Sequence, residues 1–148
     1  MQLTLTTKVD GHYREVMERF DRQLFEALKP PMASMSILAF TGSKKGDRVH
    51  IRFESPIQAE WISEITEDEI NDKEAFFVDE GVQLPFPLKY WRHKHIVRKI
   101  DETSSYIIDD IQYEGPNTLV SFLLYPAMYI GFAPRKKVYQ QYFKTLFA

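Results

Sequence analysis

Leucine and threonine alternate through Gln2 to Val9, and polarity that changes every second residue marks a strand with one buried face. The period then lengthens. Between Gly11 and Leu28, the residues Tyr13, Val16, Met17, Phe20, Leu24, Ala27 and Leu28 recur at helical spacing. They form one stripe of a helix, whole or in two pieces, with Asp10 as its cap and Pro30-Pro31 as its stop. From Ser34 the pattern returns to strands, predicted at Ser34–Thr41, Asp47–Glu54, Gln58–Thr66, Glu74–Glu80, Tyr90–Ile100 and Ser104–Tyr113. Gly42 to Gly46 reads as a turn and Asp68 to Lys73 as a polar hairpin loop. Pro85-Phe86-Pro87 is placed at an edge or over a pocket mouth, because proline cannot donate to a sheet ladder.

After Gly115-Pro116 a helix begins, capped by Asn117 or Thr118, and it runs nearly to the last residue with kinks or breaks at Pro126 and Pro134. Val138, Tyr139, Tyr142, Phe143, Leu146 and Phe147 make its apolar stripe. Arg135, Lys136, Gln140, Gln141 and Lys144 are assigned to the opposite, polar face. No repeat, linker or low-complexity tract divides the chain. The reading is one α+β domain over residues 1–148, a curved antiparallel sheet of about seven strands around a long C-terminal helix.

The segment Tyr90 to Arg98 carries the most chemistry. On a strand, Trp91, His93, His95 and Val97 share one face, while Arg92, Lys94 and Arg98 share the other and must meet solvent. The next strand offers Ile107, Asp109, Ile111 and Tyr113 on one face. If Asp101-Glu102-Thr103 is the hairpin loop, the antiparallel register sets His95 opposite Asp109 and Trp91 opposite Tyr113. Two imidazoles, a carboxylate and a phenol among Trp and Ile are too many polar groups for a dry core unless they satisfy one another or meet a ligand. A pocket wall and an internal hydrogen-bond network bracing the sheet are the two readings.

Composition narrows the function. Aromatic residues reach 14%, which suits a wide interior. A net charge of −2 offers no general attraction to phosphate backbones, so no nucleic-acid partner is expected. The absence of cysteine excludes disulfides, thiolate nucleophiles and Cys-ligated metals. The N-terminal residues show no signal-peptide pattern, and the most apolar stretch, Leu119 to Ala133, is too short and too interrupted to span a membrane. The cytoplasm is the default compartment, with no stable membrane insertion expected.

Taken together, Pro30-Pro31, Trp61 with Ile65, Phe77-Val78-Asp79, Trp91-Arg92-His93-Lys94-His95, and Asp109 through Tyr113 to Pro116 resemble the SRPBCC superfamily, the START-like or helix-grip proteins. The likeness covers nearly the whole chain and is nearest to the small bacterial ligand-binding branch. Two positions depart from that branch: Leu84-Pro85-Phe86 stands where Gly-Pro-Phe is usual, and Ala133-Pro134-Arg135 stands where an aromatic usually precedes the Arg. The resemblance implies a helix-grip fold and a ligand class, and much less about chemistry.

The favoured function is a binder or carrier of a lipid, polyketide or aromatic metabolite, with Trp61, Phe77, Trp91 and Tyr113 as walls and His93, His95 and Asp109 as polar anchors. Asp79, Phe86, Tyr125 and Tyr129 complete the expected lining. The alternative is a polyketide cyclase or dehydratase-like enzyme in which His95, oriented by Asp109, is the base and His93 or Tyr113 the acid. His93 and His95 can also share an ion with Asp109 or Asp79, but the spacing names no third ligand, so no metal or cofactor is expected. Tyr125, Met128, Tyr129 and Phe132 with Arg135-Lys136-Lys137 read as a sheet-covered helix with a solvated basic end rather than a membrane-surface module. The acidic run from Glu64 to Glu74 reads as solvated surface.

Overall fold

The computed structural model describes residues 1–148. The chain runs β1 (Gln2–Asp10), α1 (Tyr13–Glu18), α2 (Arg22–Ala27), β2 (Ser34–Phe40), β3 (Arg48–Ser55), β4 (Ala59–Ile70), β5 (Glu74–Gln83), β6 (Tyr90–Lys99), β7 (Ser104–Glu114), α3 (Thr118–Phe132) and α4 (Arg135–Leu146). Each strand falls where the alternation placed it, and the ends differ by a few residues. The largest difference is at β4, which continues through Asp68 to Ile70 and shortens the expected loop to Asn71, Asp72 and Lys73. Asn71 Oδ1 accepts the backbone N–H groups of Lys73 and Glu74 at 2.8 and 3.0 Å, so the turn closes on a side chain and needs no long polar loop.

The first helical stripe is two helices. Asp21 Oδ1 accepts from the backbone N–H of Leu24 at 3.0 Å, which caps α2 and ends α1 before it. Asp10, expected as a cap, instead closes β1 opposite Ser104. Gly11 makes the turn between them at φ +114°, a conformation that favours glycine, and an added Cβ would stand 2.5 Å from the Phe147 ring.

All seven strands form one antiparallel sheet in the order β1-β7-β6-β5-β4-β3-β2. Consecutive strands pair as hairpins from β2 to β7, and β1 closes against β7. A bulge bends the sheet where Ile65 pairs with Asp79 but Glu67 pairs with Val78, leaving Thr66 as the extra residue. In the concave face so formed lies the C-terminal helical segment. Asn117 Oδ1 caps α3 by accepting from Val120 N–H at 2.9 Å, as its position predicts. Pro126 lies within α3 without ending it, and Ala133 and Pro134 both keep right-handed helical angles, so α3 and α4 form one bent helix.

Two apolar clusters result. Tyr13, Val16, Phe20 and Leu24 pack with Phe77, Val97 and Ile107 of the sheet and with Tyr139 and Phe143 of α4. Leu3, Leu88, Trp91, Ile111 and Tyr113 form the second, against which Leu124, Tyr125, Met128 and Phe132 of α3 pack. No helix is long and apolar enough to cross a membrane.

Candidate functional site

Between the sheet and the bend of the C-terminal helix lies a cavity of about 530 Å³, within the usual size range of small-molecule sites. Of its 31 lining residues 19 are hydrophobic, so it favours an apolar occupant. Val49, Ile51, Ile65 and Phe77 line it from the sheet, and Leu24, Met128 and Phe132 from the helices. Met32 and Ile130 also line it while remaining 77% and 53% exposed, which sets the mouth between the loop after α2 and α3. A second depression, about 410 Å³, sits at the β3–β4 turn among Arg52, Glu54, Glu60 and their neighbours, where Arg52 pairs with Glu60 at 3.0 Å.

One wall of the cavity is polar. Alternation on β5 and β6 turns Asp79, His93 and His95 inward, and Asp109 of the neighbouring β7 is buried beside them, outside the lining. The register is the expected one, with His95 opposite Asp109 and Trp91 opposite Tyr113. The side chains nevertheless pair diagonally. His95 Nε2 lies 2.6 Å from Asp79 Oδ2, and His93 Nε2 lies 2.9 Å from Asp109 Oδ1. His95 approaches Asp109 only to 4.0 Å, so the expected His95–Asp109 hydrogen bond is not made. Diagonal neighbours come within reach of long or flat side chains in a sheet, and here the imidazoles stack at 3.6 Å between centroids, each reaching past the other.

Further contacts hold this wall in place. Trp91 Nε1 donates to Asp79 Oδ1 at 2.9 Å, and Phe77 stacks on the His95 ring at 4.3 Å. Arg135 reaches in from the first turn of α4, with Nη1 3.7 Å from Asp109 Oδ1 and its guanidinium over the Phe132 ring. Tyr139 donates its O–H to Asp109 at 3.4 Å. Charge alone assigns Arg135 to the polar helix face; the structure corrects that. It stands four residues before the fully buried Tyr139, and that spacing is the sequence signal that aims both inward.

Burial and partners oppose each other in the titration of the wall. Burial pushes the His95 pKa down to about 4, helped by neighbouring His93 and opposed by Asp79. Burial would raise the Asp109 carboxyl, but the His93 hydrogen bond and the charges beside it, Arg135 among them, hold it at about 2. Desolvation of Asp79 is likewise outweighed, by His95 first, and its pKa is lowered. Both depressed values act in one direction on stability. A native state that binds fewer protons than the unfolded chain loses stability on acidification. The His95 contribution is complete above pH 6.5 and falls away as the pH drops to about 4. The Asp109 contribution is lost from pH 3.8 down to about 2. Urea midpoints should therefore hold from pH 7.5 to about 6.5 and fall from there to pH 4, and His95→Gln should flatten that fall.

Of the residues expected to bind ligand, Trp61, Phe77, Asp79, Trp91, His93 and His95 do line the cavity. The two tryptophans meet edge to face at 4.6 Å. Asp109 supports the wall from the neighbouring β7. Tyr113 is buried in the second cluster, and Tyr125 packs against that cluster, because Met128 and Phe132 occupy the cavity-facing stripe of α3. Tyr129 is half exposed and outside the lining. Phe86 is 88% exposed and also outside; the Pro85 turn folds Leu88 inward in its place. Phe86→Ser should therefore leave ligand affinity unchanged and shift stability by no more than about 0.5 kcal/mol, read from a urea titration.

No protein-family model matches the chain, and no curated protein matches it by sequence. Solved structures do match. A START superfamily protein from Mycobacterium smegmatis superposes with a TM-score of 0.67 at 12% identity, covering 98% of each chain. The chain has the START-like, helix-grip fold. An aromatase/cyclase from Streptomyces sp. R1128 shares the helix-grip fold at a TM-score of 0.65 and 11% identity, over 93% of this chain and 90% of that one. Norcoclaurine synthase from Thalictrum flavum, solved with dopamine and hydroxybenzaldehyde, does so at 0.61 and 12%, over 88% and 84%. The gripped helix of the fold is the bent α3–α4 segment, and its bend brings Arg135 to the polar wall.

Proposed function

We propose that the protein binds a hydrophobic small molecule, a lipid, polyketide or aromatic metabolite, inside the helix-grip cavity. The observation that carries this reading is a largely apolar cavity of about 530 Å³ with Asp79, His93, His95 and Arg135 together on one wall. Such a wall orients a ligand by one oxygen-bearing group while Trp61, Phe77 and Phe132 contact its apolar body. The solved neighbours support a small-molecule site in this fold, one of them holding two aromatic compounds. Native mass spectrometry followed by organic extraction should recover an apolar compound at one per chain. Protein that retains nothing and takes up no member of a lipid and aromatic panel contradicts the reading.

An acid–base enzyme is the second reading, and the short His95–Asp79 contact on the cavity wall favours it. The pair that faces the ligand space is His95 with Asp79, in place of His95 with Asp109. Turnover of a bound polyketide that disappears in His95→Gln while binding persists would carry this reading; turnover unaffected by that change would end it.

A further inference from the structure

We propose that Asp79, His93 and His95 form a site for one first-row divalent transition-metal ion at the cavity wall, held by Asp79 Oδ2, His93 Nδ1 and His95 Nε2. The candidate ligand atoms lie within 4.8 Å of one another. Asp79 Oδ2 is 3.8 Å from His93 Nδ1 and 2.6 Å from His95 Nε2. Bonds of about 2.0–2.1 Å at a tetrahedral angle bring two ligand atoms to about 3.3 Å, so adjustments of about an ångström suffice.

The surroundings supply the outer shell that such ligands need. A metal-bound imidazole normally donates its other N–H to a carboxylate, and His93 Nε2 already sits 2.9 Å from Asp109 Oδ1. The second oxygen of Asp79 is held by the Trp91 indole at 2.9 Å, which leaves Oδ2 for the ion. Asp109 is itself braced by Tyr139 and Arg135.

An orphaned atom gives the independent indication. His95 Nδ1 is buried and has no hydrogen-bond partner. While Nε2 donates to Asp79, the buried Nδ1 keeps an unused lone pair, which is costly. If Nε2 binds an ion instead, the proton moves to Nδ1, whose neighbour is Asp109 Oδ1 at 4.0 Å. In the metal-bound tautomer the His95 N–H faces the same carboxylate oxygen that accepts from His93, and a shift of about an ångström closes that hydrogen bond. Charge agrees: two carboxylates face one guanidinium here, leaving a net negative charge for a cation to neutralise.

Two nitrogens and one oxygen suit zinc or iron(II), and three protein ligands leave coordination positions open toward the cavity. A water molecule or a ligand oxygen can take such a position, which would make the ion the polar anchor of the site.

The test uses tag-free protein stripped with chelator, titrated with Zn²⁺ by calorimetry and with Co²⁺ by visible absorption. The expected result is saturable binding of one equivalent, a cobalt d–d band, and weakening of about tenfold or more in His95→Gln and in Asp79→Asn, with Asp109→Asn weakening it about tenfold through the outer shell. X-ray absorption on the cobalt-loaded native chain should show scattering from two imidazoles, a readout that does not depend on any variant folding. Absence of saturable binding, or a cobalt spectrum without two imidazoles, overturns the site. Affinity unchanged in folded His95→Gln and Asp79→Asn overturns it as well. Binding of an apolar fluorophore to the chelator-stripped protein tests the cavity separately, so the two proposals fail independently.

Discussion

Replacing Asp109 by leucine will cost on the order of 3–5 kcal/mol of stability, the largest loss expected from any single substitution on the polar wall. Asp109 is 1% exposed and accepts from His93 and Tyr139 while facing Arg135. Leucine preserves most of the volume, so the loss measures the buried partners left without an acceptor and a guanidinium left without its counter-charge. Pairing Asp109→Leu with Arg135→Leu should recover part of the loss, because removing both charges of a buried pair is cheaper than removing one. Urea denaturation of the two single variants and the double variant measures both effects. A loss below about 1 kcal/mol for Asp109→Leu would mean that the wall is held by packing alone.

The second large effect is on binding and leaves the fold intact. Gly131 lines the cavity near the C-terminal end of α3, and a Cβ built there meets no heavy atom within 4 Å. Gly131→Phe should therefore place its ring in the hollow without displacing the helix. Apolar ligands should then lose affinity by about tenfold or more, each displaced methylene counting for about 0.8 kcal/mol. Stability should hold or rise, since glycine within a helix costs about 0.5–1 kcal/mol relative to alanine. Calorimetric titration and a thermal melt of the same sample read the two quantities. Unchanged affinity in a folded variant would place the ligand elsewhere.

What the sequence revealed and what it hid follow from the range of the forces involved. Strand alternation is local, so Trp91, His93 and His95 could be assigned one face, and a three-residue loop at Asp101–Thr103 set the pairing of His95 with Asp109. Hydrogen-bond partners were not legible in the same way. They depend on three adjacent strands at once and on two imidazoles stacking, which no single hairpin encodes. Asp79 is on the expected lining, but its place as the partner of His95 requires the β5–β6 register.

Arg135 was misplaced by a rule that sends charge to solvent, although its spacing from Tyr139 pointed inward. Phe86, expected over the pocket mouth, lies 88% exposed and outside the lining. Flanking prolines turn its loop so that Leu88 fills the available space. On α3 the difficulty was different: the helix is apolar on every side, with Leu119, Phe122 and Leu123 all exposed, so hydrophobicity could not tell which stripe faces the cavity. Geometry chose Met128 and Phe132 over Tyr125 and Tyr129.

The hollow beneath the bent helix is tested most directly by titrating the protein with a neutral naphthylamine fluorophore while following emission from Trp61 and Trp91, the only two tryptophans and both on the cavity wall. The account predicts saturable quenching at one fluorophore per chain, abolished in Gly131→Phe. Quenching that rises linearly without saturation, or that is identical in Gly131→Phe, would contradict it.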